Sequence, residues 1–160
     1  MKISYSWLKD YINLNESPEE VCRILTQTGL EVAGMEEVET VKGGMEGLVT
    51  GQVITCEKHP NSDHLSKTTV DIGTGEAIPI VCGAPNVAAG QKVVVAPVGT
   101  TLYMEDQEIK LKKVKIRGEE SRGMICAEDE IGIGTDHKGI IVLDEDVQIG
   151  TPAREYFNVQ

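Results

Sequence analysis

Gly47-Leu48-Val49-Thr50-Gly51-Gln52-Val53-Ile54-Thr55, the run Lys58-His59-Pro60-Asn61-Ser62-Asp63-His64-Leu65, and Thr68-Thr69-Val70-Asp71-Ile72 read together as strand, loop and strand. From Gly47 onward the hydrophobic period falls to roughly two, the spacing of a chain that shows alternate side chains to two faces. Pro60 and Asn61 favour a tight turn between the two runs. The same cadence continues downstream, with candidate strands at Ile78 to Cys82, Lys92 to Ala96, Ile109 to Arg117 and Ile140 to Leu143, separated by Gly, Pro and Asn turns. Short strands at this spacing predict a barrel or a sandwich, mainly β, with a single short helical stretch over Ala127 to Ile131.

Upstream the pattern changes. Ser17-Pro18-Glu19-Glu20 is a helix start: Ser17 caps, Pro18 suits the first helical position, and Glu20 is placed to reach back as in a capping box. Val21, Ile24, Leu25 and Thr28 follow at helical spacing until Gly29 supplies the left-handed residue that closes a helix. Tyr5 to Tyr11 predicts a shorter helix, and Leu30 and Val32 begin an extended segment. Two short helices and one strand rarely hold a core alone, so this appendage is expected to be incomplete, with partner elements elsewhere in a longer chain. Lys42-Gly43-Gly44 marks a joint, and the domain boundary is expected near Val41.

The 160 residues carry a formal charge of −11. General nucleic-acid affinity is not expected of such a chain, because phosphate binding relies on Lys and Arg releasing condensed counterions. The average conceals a pattern: residues 41–123 hold 10 basic and 10 acidic groups, and both flanks are acidic. Residues 110–122 form the one basic stretch, with Lys110, Lys112, Lys113, Lys115, Arg117 and Arg122 set against Glu119 and Glu120. In a strand Lys113, Lys115 and Arg117 would share a face, either as a rail for an anionic ligand or as edge charges that discourage strand pairing. Tyr103 is the sole aromatic residue between Val41 and Arg154, so base stacking is not the expected mode of recognition, whereas folded RNA read through backbone and shape remains open.

Catalytic and metal chemistry find little support. A zinc site on His59, Asp63 and His64 would lack a fourth ligand, since no cysteine lies at suitable spacing; the alternative is a turn in which Asn61 and Asp63 satisfy backbone donors. Cys22, Cys56, Cys82 and Cys126 are far apart and read as four small buried thiols. Ser121 lacks the Gly-x-Ser-x-Gly elbow that would make it a nucleophile with His59, His64 or His137, and no phosphate-cradling glycine loop is present. With no apolar run near the length of a membrane span and no basic-then-apolar leader at Met1 to Leu8, neither a membrane nor DNA is an expected partner, and the cytoplasm is the expected compartment.

Three ordered blocks resemble a known family. Thr50-Gly51-Gln52-Val53 through His59 to Leu65 and on to Val70-Asp71-Ile72-Gly73 looks like the opening of the tRNA-binding domain shared by several aminoacyl-tRNA synthetases. Ile80-Val81-Cys82-Gly83-Ala84-Pro85-Asn86-Val87 resembles its next block, and Ser121-Arg122-Gly123-Met124-Ile125-Cys126-Ala127 with Glu130-Ile131-Gly132 its closing block. The opening Met1-Lys2-Ile3-Ser4-Tyr5-Ser6-Trp7-Leu8 and Gly29-Leu30-Glu31-Val32 resemble the start of phenylalanyl-tRNA synthetase β subunits; other members of the family use the barrel without that beginning.

The resemblance implies an OB-type Greek-key barrel over 41–152, inserted into or following the α+β segment 1–40, the first half of a split domain, with 153–160 returning toward it. It implies a native chain extending well beyond Gln160, an α subunit as partner in an α2β2 heterotetramer, and ATP and magnesium as cofactors of the complete ligase, none of them held by this fragment. No catalytic residue is carried over. The RNA contacts it suggests are Lys58, His59, Asn61 and His64 on the first loop, with Lys113, Lys115, Arg117, Ser121 and Arg122 on the basic segment. An assembly role with little RNA contact, or a free-standing tRNA binder, are the alternatives. Ser62 stands where the family usually has Ala and His64 where Lys is frequent, and the second departure removes a fixed positive charge.

Overall fold

The computed structural model describes residues 1–104 and 107–159, in two compact units, Met1–Val38 and Glu39–Gln160. In the first, α1 (Tyr5–Tyr11) is capped by Ser4, whose hydroxyl accepts from Trp7 N at 3.4 Å, and α2 (Pro18–Gln27) by Ser17, which accepts from Glu20 N at 3.3 Å. Gly29, at φ +100°, ends α2 and lets Leu30 N bond back to Leu25 O at 2.9 Å, the closing bond of a Schellman motif. Two expectations fail here. Glu20 does not reach back as a capping box but forward to Arg23, one turn on, where the guanidinium offers a charged partner. Residues 30–36 form no strand, because no neighbouring strand offers them a ladder. Neither helix buries a residue, and Trp7, Tyr11, Leu30, Met35 and Val38 are all exposed.

The second unit opens with a 3-10 turn at Lys42–Met45 and is built of strands β1 (Val49–Lys58), β2 (Ser66–Asp71), β3 (Ala77–Cys82), β4 (Lys92–Pro97), β5 (Thr101–Met104), β6 (Gln107–Lys110), β7 (Val114–Ile116), β8 (Glu119–Ser121), β9 (Gly123–Ile125) and β10 (Val142–Leu143), with helices α3 (Glu128–Ile131) and α4 (Ala153–Tyr156). Antiparallel ladders run β10-β4-β1-β2-β3, and β9 pairs the other part of β4. Arg122 N donates to Pro79 O at 2.8 Å and Val81 N to the Ser121 hydroxyl at 3.1 Å, so the segment entering β9 closes against β3. The circuit β1-β2-β3-β9-β4-β1 is a nearly closed OB-type barrel. The strand expected over Ile109 to Arg117 is two strands in separate hairpins, β5–β6 and β7–β8. Leu111 breaks it: its N–H bonds Thr100 O at 2.8 Å and its carbonyl accepts from Gly99 N at 2.9 Å, fastening the chain to the first hairpin before the second begins.

β4 explains the depth of the core. Val93, Val94, Val95 and Ala96 are all fully buried. Val93 and Val95 join Val53, Val70, Ile80, Cys82, Ile125 and Ile140 inside the barrel. Val94 and Ala96 belong to a second cluster with Met45, Leu48, Leu102, Cys126, Ile131, Leu143 and Ala153. A strand covered on both sides has no solvent face to mark with polar residues, hence its continuous apolar run. Residues 153–159 pack on this second core: Ala153 N bonds Leu48 O at 2.8 Å, and Phe157 and Val159 lie against the cluster. Thr50 ties the same region down, its hydroxyl donating to Gln148 O at 2.7 Å and accepting from Thr151 N at 3.0 Å. Only Cys82 and Cys126 are buried thiols; Cys22 and Cys56 are half-buried, since α2 is exposed and Cys56 sits near the rim of β1. No helix among the described residues is long and apolar enough to cross a membrane.

Candidate nucleic-acid interface

The loop between β1 and β2 is fastened from within. His59 N donates to Leu65 O at 3.0 Å, closing the loop, and the Ser62 hydroxyl accepts from His64 N at 3.3 Å. His59 is 2% exposed. Its Nδ1 accepts from Asn61 N at 3.0 Å, which leaves the ring proton on Nε2, and that proton is donated to Ile116 O at 3.0 Å. Ser62 is buried behind Pro60, Asn61, Asp63 and His64, which are exposed. The expected turn, with Asn61 and Asp63 satisfying backbone donors, is not what forms: the His59 ring and the Ser62 hydroxyl are the acceptors inside the loop. Asp63 instead stands beside Lys58, Oδ1 to Nζ at 3.4 Å, on the surface.

The β7–β8 hairpin lies against this loop. Its two-residue turn puts Arg117 at φ +51° and Gly118 at φ +92°, the positive-φ pair that matches the twist of a tight hairpin. Asn61 Nδ2 donates to Arg117 O at 3.3 Å, and Arg117 Nη1 donates to Asn61 O at 3.1 Å. The register sets Lys115 opposite Glu120 and Ile116 opposite Glu119. One face of the hairpin meets the barrel: Ser121, 1% exposed, accepts from Val81 N, and Glu119 pairs with Lys67 of β2 at 2.9 Å. On the other, Lys113 Nζ sits 2.8 Å from Glu120 Oε2 while Arg122 Nε donates to Oε1 of the same carboxylate. Lys113 first, with Arg122, holds the Glu120 carboxyl below its ordinary range, and Glu119 raises Lys67.

Of the nine residues expected to meet RNA, seven are exposed, on the first loop and on the hairpin segment bonded to it: Lys58, Asn61, His64, Lys113, Lys115, Arg117 and Arg122. His59 and Ser121 are placed differently. Both are buried with their polar atoms engaged by backbone, His59 by Ile116 and Asn61, Ser121 by Val81 and Gly123. Two carboxylates were not singled out: Glu119, anchored to Lys67, and Glu120, bound between Lys113 and Arg122. Arg117-Gly118 carried the clue, because a hairpin centred there places Glu120 across from Lys115. Lys42 Nζ lies 5.6 Å from the Tyr103 ring centroid, and the ring lies against Gly43. Among the described residues no group of three or more His, Cys, Asp or Glu could hold a metal ion.

The second unit is thus an OB-type barrel with a polar loop and a cationic hairpin packed against each other. The chain belongs to the family described as the putative tRNA binding domain, whose model matches residues 48–152. Along its whole length it is similar to the phenylalanine–tRNA ligase beta subunit of Bacteroides thetaiotaomicron (63% identical) and to that of Salinibacter ruber (48% identical over 99% of this chain). It spans about a fifth of the length of these relatives. Among solved structures, a methionyl-tRNA-synthetase-related protein from Pyrococcus horikoshii superposes with TM-score 0.47 and 26% identity, over 65% of this chain and 85% of that one.

Proposed function

We propose that this chain is the tRNA-contacting part of a phenylalanine–tRNA ligase β subunit, and that its barrel positions tRNA through phosphates rather than by reading bases. The observation that carries the reading is the hydrogen-bonded contact between the His59–Leu65 loop and the β7–β8 hairpin, which brings the loop flanked by Lys58 and bearing His64 against the segment bearing Lys113, Lys115, Arg117 and Arg122. Phosphate contacts of this kind set orientation and carry no sequence information directly. The family match and the identity along the whole chain support tRNA as the ligand. ATP, magnesium, the α subunit of an α2β2 assembly and a cytoplasmic setting belong to the complete ligase of that reading, as do an amino-terminal segment 1–40 shared with a split domain and a return segment at 153–160.

A tRNA titration at two salt levels tests the proposal. Each phosphate neutralised is expected to steepen the dependence of log affinity on log salt by about 0.7 to 0.9. Binding that is absent at low salt, or indifferent to salt, removes the reading. A role in assembly with little RNA contact is favoured by one observation, the pairing of Lys113 and Arg122 with Glu120. Neutralising Lys113, Lys115 and Arg117 together separates the two: unchanged aminoacylation by the complete ligase with impaired assembly favours the second.

A further inference from the structure

The β7–β8 hairpin is a two-stranded sheet of its own, three residues to a strand, and no ladder joins it to the six-stranded sheet. A hairpin of that size is marginal by itself, so its position depends on how its ends are tied. The base is held at β3 through Ser121 and Arg122 N. The tip is held by three bonds to the first loop, His59 Nε2 to Ile116 O, Asn61 Nδ2 to Arg117 O, and Arg117 Nη1 to Asn61 O, and by the ion pair of Glu119 with Lys67 of β2. Arg117 is bound at the turn residue that departs from ordinary backbone, since a left-handed φ is unfavourable for a residue with a Cβ. Outliers of this kind persist where the surroundings over-determine them. Here the reciprocal pair with Asn61 does so, and His59, buried under the loop, sets the donor that grips the neighbouring carbonyl.

From this arrangement we infer that His59 and Asn61 are positioning residues, a clasp that makes loop and hairpin one rigid surface so that Lys58 and His64 engage the RNA backbone at the same time as Lys115 and Arg117. The inference rests on the tRNA-binding reading and adds to it the device by which an otherwise weakly held hairpin contributes. Both residues are uncharged in this role, His59 because its Nδ1 lone pair is taken by Asn61 N. That gives the inference a distinctive signature. Losing an uncharged group that touched RNA directly lowers affinity by the same factor at every salt concentration. Losing a clasp unhooks cations, and the salt slope itself falls, by about 0.7 to 0.9 for each phosphate contact no longer made.

The experiment pairs amide hydrogen exchange with tRNA titrations across salt, on wild type, Asn61→Ala, His59→Ala and His59→Gln. Asn61→Ala removes the Nδ2 bond to Arg117 O while keeping the two bonds made by the backbone of residue 61, and, Asn61 being exposed, it leaves the barrel intact even if His59→Ala unfolds it. The expected result is faster exchange over 114–121 in Asn61→Ala, with β1 to β4 unchanged, and a shallower salt slope. His59→Gln, whose amide can still donate to Ile116 O, is expected to recover part of what His59→Ala loses. Unchanged exchange in the hairpin overturns the clasp whatever the RNA does. Faster exchange with an unaltered slope and uniformly weaker binding overturns it in favour of direct contact. Should the wild-type chain bind no tRNA, the RNA reading falls and takes the functional half of the inference with it, while the exchange data still decide whether the clasp holds the hairpin.

Discussion

Replacing Glu120 by Gln takes away the carboxylate that Lys113 and Arg122 share and that faces Lys115 across the hairpin. In the wild type an incoming phosphate must compete with this internal counter-ion, so the two bound cations release little of their charge to RNA. Glu120→Gln preserves shape and keeps an amide oxygen for Lys113 while removing the charge. If one phosphate takes the place of the carboxylate, the salt slope steepens by about 0.7 to 0.9, and by twice that if Lys113 and Arg122 each find one. Between about 200 and about 50 mM salt this increases the gain in affinity, relative to wild type, by about threefold for one phosphate and about tenfold for two. The assay is a fluorescence titration of labelled tRNA at four or five salt concentrations, with circular dichroism as a check on folding. Because Lys113 and Arg122 are exposed and Glu120 only half-buried, stability at neutral pH should change little. The depressed Glu120 pKa does contribute stability above the ordinary carboxylate range, which is lost as pH falls through the folded value, so the variant's unfolding should respond less to acid. An unchanged slope in a well-folded variant would refute the idea that Glu120 occupies the phosphate site.

Two further expectations concern the scaffold. Ile80 is 1% exposed inside the barrel, and Ile80→Ala should cost about 2 to 5 kcal/mol, read as a lower denaturant midpoint at constant slope. Glu130 caps α3 by accepting from Ala127 N at 2.7 Å, yet burial pushes its carboxyl above the ordinary range. The folded chain therefore binds that proton more tightly than the unfolded chain, and the ionised form costs stability at neutral pH, a cost that fades as pH falls through the folded value. Glu130→Gln, still able to accept from Ala127, should be more stable than wild type near about pH 7 and lose that advantage by about pH 4, as followed by thermal melts across pH.

The barrel was legible where one face of a strand meets water: Val53, Val70 and Ile80 fall on the alternation that announces their strands. The second core was not, because Met45, Leu48, Leu102 and Ala153 come from distant parts of the chain and no local period links them. Ile109 to Arg117 misled because alternation records which residues face inward and not which partner they pair with; the bonds of Leu111 to Gly99 and Thr100 decide that. At the candidate interface the loop and the basic stretch were each visible from composition, and they do meet. The burial of His59 and Ser121 was hidden by the tendency of polar side chains to lie outside, a tendency that backbone partners can override. Glu120 escaped notice because a summed charge treats a carboxylate as a deduction and says nothing of which cations it grips.

Four consecutive fully buried residues leave the middle of β4, Val93 to Ala96, no position where drift is harmless. A saturation library of the chain should show Val93 to Ala96 as an unbroken block of intolerance, in which a change at Val94 is compensated near Leu102 or Leu143 and a change at Val95 near Val53 or Ile125. The hairpin outside the barrel carries no such burden over Val114 to Gly118. Substitutions there are limited by the Arg117-Gly118 turn and its bonds to Asn61 rather than by interior volume.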